Sequence, residues 1–256
     1  MRHCQSSNPK GNCNMEQKIT TTVALLKRKS IREYDMTPLS DAEIKHILAY
    51  AEGIEPLLPG LKIKVSVIGP DDVKAIRGWR APHYLALYAD GDDASMTNVG
   101  YVYEQVVIYL TSLGLGTCWA NSVSPKEAKE LDGLKWAATI AFGWEKNGNP
   151  WRASLSETKR KDISAISDQK DEKLEVARIA PSAMNNQPWY FTHANGKLHV
   201  YCIIQGFMKK WMSAMNRLDV GIALAHLKLN SDNFKYEVEK NPAPKKGYTY
   251  IGTVTL

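Results

Sequence analysis

The chain lacks any apolar run long enough to span a bilayer, and its first residues lack the continuous apolar core of a signal peptide. Neither a membrane helix nor a cleaved leader is therefore read from it, and a cytoplasmic location is the expectation. Cysteine is scarce. Cys4, Cys13, Cys118 and Cys202 show neither the close pairs of a zinc site nor the density of a disulfide scaffold, so reduced thiols are expected. Several catalytic signatures are also missing: Gly-x-Ser-x-Gly, a phosphate loop ending in Gly-Lys-Ser/Thr, and His-Glu-x-x-His. Gly114-Leu115-Gly116 lacks the third glycine of a dinucleotide fingerprint, and Asp90-Gly91-Asp92-Asp93 lacks the later ligands of a calcium loop and reads as a turn. The dispersed histidines, among them His46 and His226, read as surface or half-buried residues. The net charge of +6 is scattered rather than gathered in a stripe, which argues against a nucleic-acid partner.

What is present is a chain of 256 residues with seven Trp and twelve Tyr, enough to bury a substantial core. Residues 1–18 are polar and aperiodic and read as a flexible tail. Thr20 to Thr22 are possible caps for a short helix that carries Lys27-Arg28-Lys29 at its end. Ser40-Asp41-Ala42-Glu43 is a capping box followed by Ile44, Ile47, Leu48 and Ala51 on one face, predicting a helix that stops near Gly53. Ile63, Val65 and Val67 alternate as in a half-buried strand, and Tyr84–Ala89 is a second strand. Val99, Val102, Val106 and Leu110 have helical spacing on a face apolar enough for a central buried helix. Ser124-Pro125-Lys126-Glu127 reads as a second capping box and the start of another helix. Trp136–Phe142, Trp189–His193, Lys197–Ile203 and Tyr248–Leu256 are strands, with an Asn195-Gly196 hairpin turn inside the second pair.

The element order repeats. Val220-Gly221-Ile222-Ala223-Leu224 echoes Val99-Gly100-Tyr101-Val102-Tyr103, so the chain divides into residues 19–158 and 159–256, with the charged 159–173 segment as linker or crossover.

Three stretches are candidates for ligand contact. Leu174 to Ile179 has helical spacing that Pro181 terminates, and the chain from there to Pro188 is expected to run extended, leaving Ser182, Asn185, Asn186 and Gln187 on a polar ledge. That ledge reads either as a well-made loop or as a contact for a heteroatom-rich ligand. Arg28-Lys29-Ser30-Ile31-Arg32 suits a phosphate monoester through its fork-shaped donors, or else complements the dipole of its own helix. Gly114 to Asn121 stops a helix, and its glycines leave backbone uncovered for a planar ligand to approach. Cys118 there reads as a small buried apolar residue.

Pro181-Ser182-Ala183-Met184-Asn185-Asn186-Gln187-Pro188-Trp189, the Arg28-x-Ser30 cluster and Gly114-Leu115-Gly116-Thr117-Cys118-Trp119 together resemble segments of the FMN-dependent nitroreductase family. The resemblance implies an α+β fold in which a mixed, mostly antiparallel sheet packs with helices. It implies FMN as cofactor and NAD(P)H as electron donor, with nitroaromatics, quinones or similar small molecules as acceptors. Arg28, Lys29 and Ser30 would meet the phosphate and ribityl region, with Arg152 as a second phosphate cation. Arg32 would lie near N1 and O2 of the flavin, and Trp119, Ala120 and Asn121 would pass its ring. Pro181, Ser182, Ala183, Asn185 and Gln187 would form the second wall. Met208, Trp211, Met212 and Met215 either pack under a loop or cover the open flavin face. In this family the ledge follows the first long helix, whereas here it lies past the middle. That position implies one FMN per chain between two diverged halves, in a monomer acting as an internal pseudo-dimer. The alternatives are a flavin-binding protein without turnover and a flavin reductase with a different acceptor.

Overall fold

The computed structural model describes residues 15–75, 80–120, 122–203 and 209–256, the last stretch with side chains from residue 212 on. Of the expected tail, residues 1–14 lie outside the described residues. Met15 packs on the core, and Lys18 donates its N–H to Ser112 O at 2.8 Å.

α1 runs Thr21–Lys27, and its first turn is held by Thr20 Oγ1, which accepts from Val23 N–H at 3.3 Å. α2 runs Asp41–Glu52 behind the expected capping box. Ser40 Oγ accepts from Glu43 N–H at 3.3 Å, while Glu43 Oε2 accepts from Ser40 N–H at 2.7 Å. β1 (Ile63–Ile68), β2 (Val73–Ala75) and β3 (His83–Ala89) lead to α3, Asp93–Ser112. Asp92 caps α3 by accepting from Ser95 N–H at 2.7 Å, which gives the acidic turn its role. β4 (Gly116–Trp119), β5 (Val123–Pro125), β6 (Glu130–Leu131) and β7 (Leu134–Gly143) follow. Two short helices come next, α4 (Ile163–Ile166) and α5 (Glu175–Arg178), then β8 (Trp189–Ala194) and β9 (Lys197–Ile203). α6 (Lys209–Leu229), β10 (Lys235–Glu237) and β11 (Tyr248–Thr255) close the chain.

The strands make two antiparallel sheets, ordered β1-β3-β7-β4 with β6 beside β7, and β10-β11-β9-β8. β2 and β5 form a separate two-stranded ribbon. α3 is buried on every side from Ser95 to Ser112, as its apolar spacing predicts. It packs against α6, whose Leu218, Ile222, Ala223 and Leu227 are buried in the same core.

Where α3 and α6 touch, the contact is reciprocal. A Cβ on Gly100 would stand 1.9 Å from Leu218 O, and one on Gly221 would stand 2.1 Å from Thr97 O. Real Cβ atoms do not approach that closely, so glycine at both positions is what lets the two backbones meet. A second pair of contacts repeats the pattern. Asn98 Oδ1 accepts from Leu58 N–H at 2.8 Å, and Asp219 Oδ2 accepts from Ala183 N–H at 3.0 Å. Leu58 lies two residues past Pro56 just as Ala183 lies two residues past Pro181.

Two expectations are corrected. No helix begins at Ser124. Val123–Pro125 pairs with Val73–Ala75, and Lys126 N–H donates to Asp72 O at 2.8 Å. The sequence after it carries Asp132-Gly133, with φ of 50° and 80°, and this left-handed pair folds β6 onto β7 as a hairpin. The ledge is also not extended. Ala183–Asn185 is a single 3₁₀ turn, with φ of 51°, 57° and 47° at Met184, Asn185 and Gln187. The following proline excludes only the right-handed helical region for Gln187. A hydrogen bond from Gln187 N–H to Ser182 Oγ at 2.9 Å holds the turn closed.

Candidate functional site

A cavity of about 520 Å³ opens where segments from the first half of the chain meet segments from its last third. Its first wall is Ser30, Arg32, Cys118, Trp119, Ala120 and Ser122, and its second is Pro181, Ser182, Ala183 and Met184 with Leu218, Asp219 and Ile222 from α6. Of the residues singled out from sequence, Ser30, Arg32, Trp119, Ala120, Pro181, Ser182 and Ala183 thus face one space. Asn121 and Met208 lie outside the described residues. Met215 is buried, and neither it nor Met212 lines the cavity.

The first wall is built by the chain after α1, which lies along β4. Ile31 N–H donates to Thr117 O at 2.9 Å, and Ser30 bridges Thr117. A Cβ on Gly116 would come within 2.9 Å of the Ile31 side chain. This glycine therefore makes room for Ile31 rather than for a ligand, which corrects the reading from sequence. Gly114, at φ 83°, ends α3. On the other side Arg152 N–H donates to Lys27 O at 2.8 Å, which fixes Arg152 beside Arg28.

Arg28 and Arg152 are buried, at 2% and 4% exposure, and neither lines the cavity. Arg152 Nη2 donates to Arg28 O. Arg28 Nε is 3.8 Å from Glu104 Oε1. Arg160 joins them, donating to Asn185 Oδ1. Burial lowers the pKa of Arg28, a shift that Glu104 opposes. Burial lowers Arg152 and Arg160 to about 10, and the charge of Arg28 adds to both shifts. Arg152 and Arg160 stay cationic at neutral pH. Arg28 Nε, Arg152 Nη1 and Arg160 Nε have no hydrogen-bond partner. Each such donor costs roughly 1–3 kcal/mol when left unmade. Lys29 is half-buried and does not line the cavity.

A polar relay connects this cluster to the cavity wall. Glu104 Oε2 accepts from Trp119 Nε1 at 2.7 Å, and Glu104 Oε1 is 2.9 Å from His226 Nε2. His226 Nδ1 is 2.8 Å from Val176 O. His226 is fully buried, where its sequence context implied a surface or half-buried residue. The Cys118 thiol is pushed up by burial, against opposing Arg32, Arg28 and Ser30, which keeps it protonated and suits the small apolar role.

The ledge amides are mostly used internally. Asn185 Nδ2 donates to Lys159 O at 2.5 Å, Gln187 Oε1 accepts from Lys161 N–H at 2.8 Å, and Asn186 Nδ2 donates to Asn216 Oδ1 at 3.3 Å. Asn185 and Gln187 therefore shape the turn, while Pro181, Ser182 and Ala183 present it to the cavity. Sequence reasoning missed Arg160, Glu104 and Asp219. Arg160 sat in a charge-rich stretch that read as solvated linker. Asp219 adjoined the repeated Val220-Gly221 segment, which was the one available signal.

A family model described as "Putative TM nitroreductase" matches residues 20–231. The structure of a Thermotoga maritima protein with a like description shares the fold at 19% identity and a TM-score of 0.62, with 97% of each chain covered. A nitroreductase family protein of Clostridium difficile 630 aligns at 19% identity over 60% of this chain and 99% of its own, with a TM-score of 0.46. A nitroreductase with bound FMN from Desulfitobacterium hafniense aligns at 13% identity over 56% of this chain and 99% of its own, with a TM-score of 0.43. No curated protein matches the chain.

Proposed function

Because the chain belongs to this nitroreductase family, matched across residues 20–231, we propose that it is an FMN-dependent NAD(P)H oxidoreductase of the cytoplasm that reduces nitroaromatics, quinones or similar small acceptors. The observation that carries the cofactor assignment is the set of unpartnered N–H groups on Arg28, Arg152 and Arg160, the first of them two residues before the cavity-lining Ser30. Cations with buried, unused donors fit a terminal phosphate, and a single such cluster fits FMN better than a dinucleotide. Lys29 adds charge at the margin. Ser30 and Ser182 would supply hydroxyls to the ribityl region, while Trp119, Ala120, Pro181 and Ala183 would flank the ring system. Arg32, exposed at the cavity, would stabilise negative charge on the reduced ring. Asn185 and Gln187 hold the second wall in shape. FMN supplies the hydride and electron chemistry, and the protein binds, orients and tunes it.

The same reading gives one FMN per chain, held between halves 19–158 and 159–256 of a monomeric pseudo-dimer. The reciprocal glycine contacts and the paired Asn98–Leu58 and Asp219–Ala183 bonds support a two-fold relation between the halves. The place related to the FMN cavity by that pattern is a second space of about 570 Å³, lined by Tyr50, Tyr101, Phe234, Tyr236 and Lys228 among others and by no arginine. Arg32 lines the first space and no arginine lines the second, an asymmetry that supports one flavin site, not two. Flavin extraction, titration and sedimentation test the proposal. One FMN per monomeric chain is the expected result, and FAD, two flavins per chain, or binding only on dimerisation would remove it.

A further inference from the structure

Asp219 sits in the cavity wall with an unusual complement of partners. It is 2% exposed, and both carboxyl oxygens share a single backbone donor, Ala183 N–H, at 3.1 and 3.0 Å. Its counterpart Asn98 is fully used, since its Oδ1 accepts from Leu58 N–H and its Nδ2 donates to Leu58 O, both at 2.8 Å. The amide clamp closes its loop with two bonds. The carboxyl makes only the accepting one, and no cation pairs with it among the described residues. Of the charged groups around it, Glu104 is the one that shifts it, and it disfavours the charged form. α3 presents Glu104, the chain after α1 presents Arg32 across the cavity, β4 presents the Cys118 thiol, and residues 181–184 carry no titratable side chain. Burial, with a further push from Glu104, holds the Asp219 carboxyl well above the usual carboxylate range, and the Ala183 hydrogen bond opposes this only in part. A neutral carboxyl has a donor that its counterpart spends on backbone, and here the cavity is what lies in front of it.

We propose that Asp219 is the general acid of the cavity, delivering a proton to the oxygen of the bound acceptor. The assignment rests on the oxidoreductase reading above. As a hydride drawn from NAD(P)H reduces the acceptor by two electrons, the Asp219 O–H bond breaks. Its proton goes to the acceptor oxygen, and its bonding pair stays on the carboxylate. The Ala183 N–H stabilises the carboxylate until solvent returns a proton. Quinones and nitroaromatics, which gain negative charge on oxygen as they are reduced, are the acceptor class such a donor selects.

The test compares wild type with Asp219→Asn, which keeps an oxygen for Ala183 N–H but has no transferable proton. Three measurements apply: FMN titration, the infrared carboxyl band of the protein without flavin, and the pH profile of menadione reduction by NADH. The wild type should show a protonated-carboxyl band at neutral pH that the variant lacks. The variant should bind FMN as wild type does, keep KM, lose about 100-fold in kcat, and lose the decline in rate that wild type shows as pH rises. If both proteins bind FMN but share the band, or share the pH profile, Asp219 is not the acid while the oxidoreductase reading stands. If neither binds FMN, both fall. If the variant does not fold, wild type alone decides: the carboxyl band and the rate must titrate with one midpoint, and separate midpoints overturn the assignment.

Discussion

Arg152→Met separates a binding role for the arginine cluster from a structural one, because the two roles predict opposite signs. Arg152 is 4% exposed and lowered to about 10 from 12.5, by burial first and then by Arg28 and Arg160. At about 1.4 kcal/mol per pKa unit this is a penalty of roughly 3 kcal/mol on its charged form. The penalty is fully present below pH 10, and it fades as pH rises from there toward the unfolded value, since the folded group then loses its proton first. Methionine keeps the stem and removes the charge. It also deprives Arg28 O of its donor, a loss of roughly 1–2 kcal/mol. The ligand-free variant should therefore be more stable by about 1–2 kcal/mol, a rise in melting temperature of about 2–6 °C for a chain of this size. FMN affinity should move the other way. Losing charge-assisted hydrogen bonds worth about 1.5–3 kcal/mol weakens binding roughly 10- to 150-fold. Thermal melts with and without inorganic phosphate, together with FMN titration, read both effects, and phosphate should stabilise wild type more than the variant. A variant that melts below wild type and binds FMN unchanged would refute the reasoning, because Arg152 would then be a structural cation.

Other outcomes follow from packing and chemistry. Gly221→Ala places a methyl 2.1 Å from Thr97 O, so α3 and α6 must separate; a loss of at least about 1–3 kcal/mol in denaturant unfolding is expected, and an unchanged midpoint would show that the helices slide freely. Ser40→Ala removes the acceptor for Glu43 N–H and should cost about 1 kcal/mol without touching FMN affinity. Cys118, buried with its thiol pushed up, should react with a thiol reagent far more slowly in the folded protein than in denaturant; equal rates would contradict its burial.

Local chemistry was the most legible part of the sequence. The Ser40 to Glu43 box and the Asn195-Gly196 turn are decided by atoms within four residues, so spacing alone places them. The Ser124 box failed because the ribbon with Val73–Ala75 and the hairpin at Asp132-Gly133 satisfy the same backbone groups by other means. The ledge residues were found but their conformation was not, since proline restricts its neighbour without choosing between extended and left-handed backbone. Arg160 and Asp219 escaped because their meaning lies in what surrounds them. One draws its significance from two arginines brought close by folding, the other from the lack of a paired cation among the described residues. His226 shows the same limit, an ordinary helical residue by sequence and a fully buried member of the Glu104 relay in the fold.

The contact of Gly100 with Gly221 fixes how the cavity can move. With backbone against backbone and no side chain between, α3 and α6 have no compressible layer through which one could shift without the other. β4 continues from α3, and the 3₁₀ turn at Ala183–Asn185 hangs from α6 by the Asp219 bond. The two walls are thus bolted to one hinge-free frame, and their spacing is a property of the crossing itself. Met184, 76% exposed on a left-handed backbone, stands in the second of these walls.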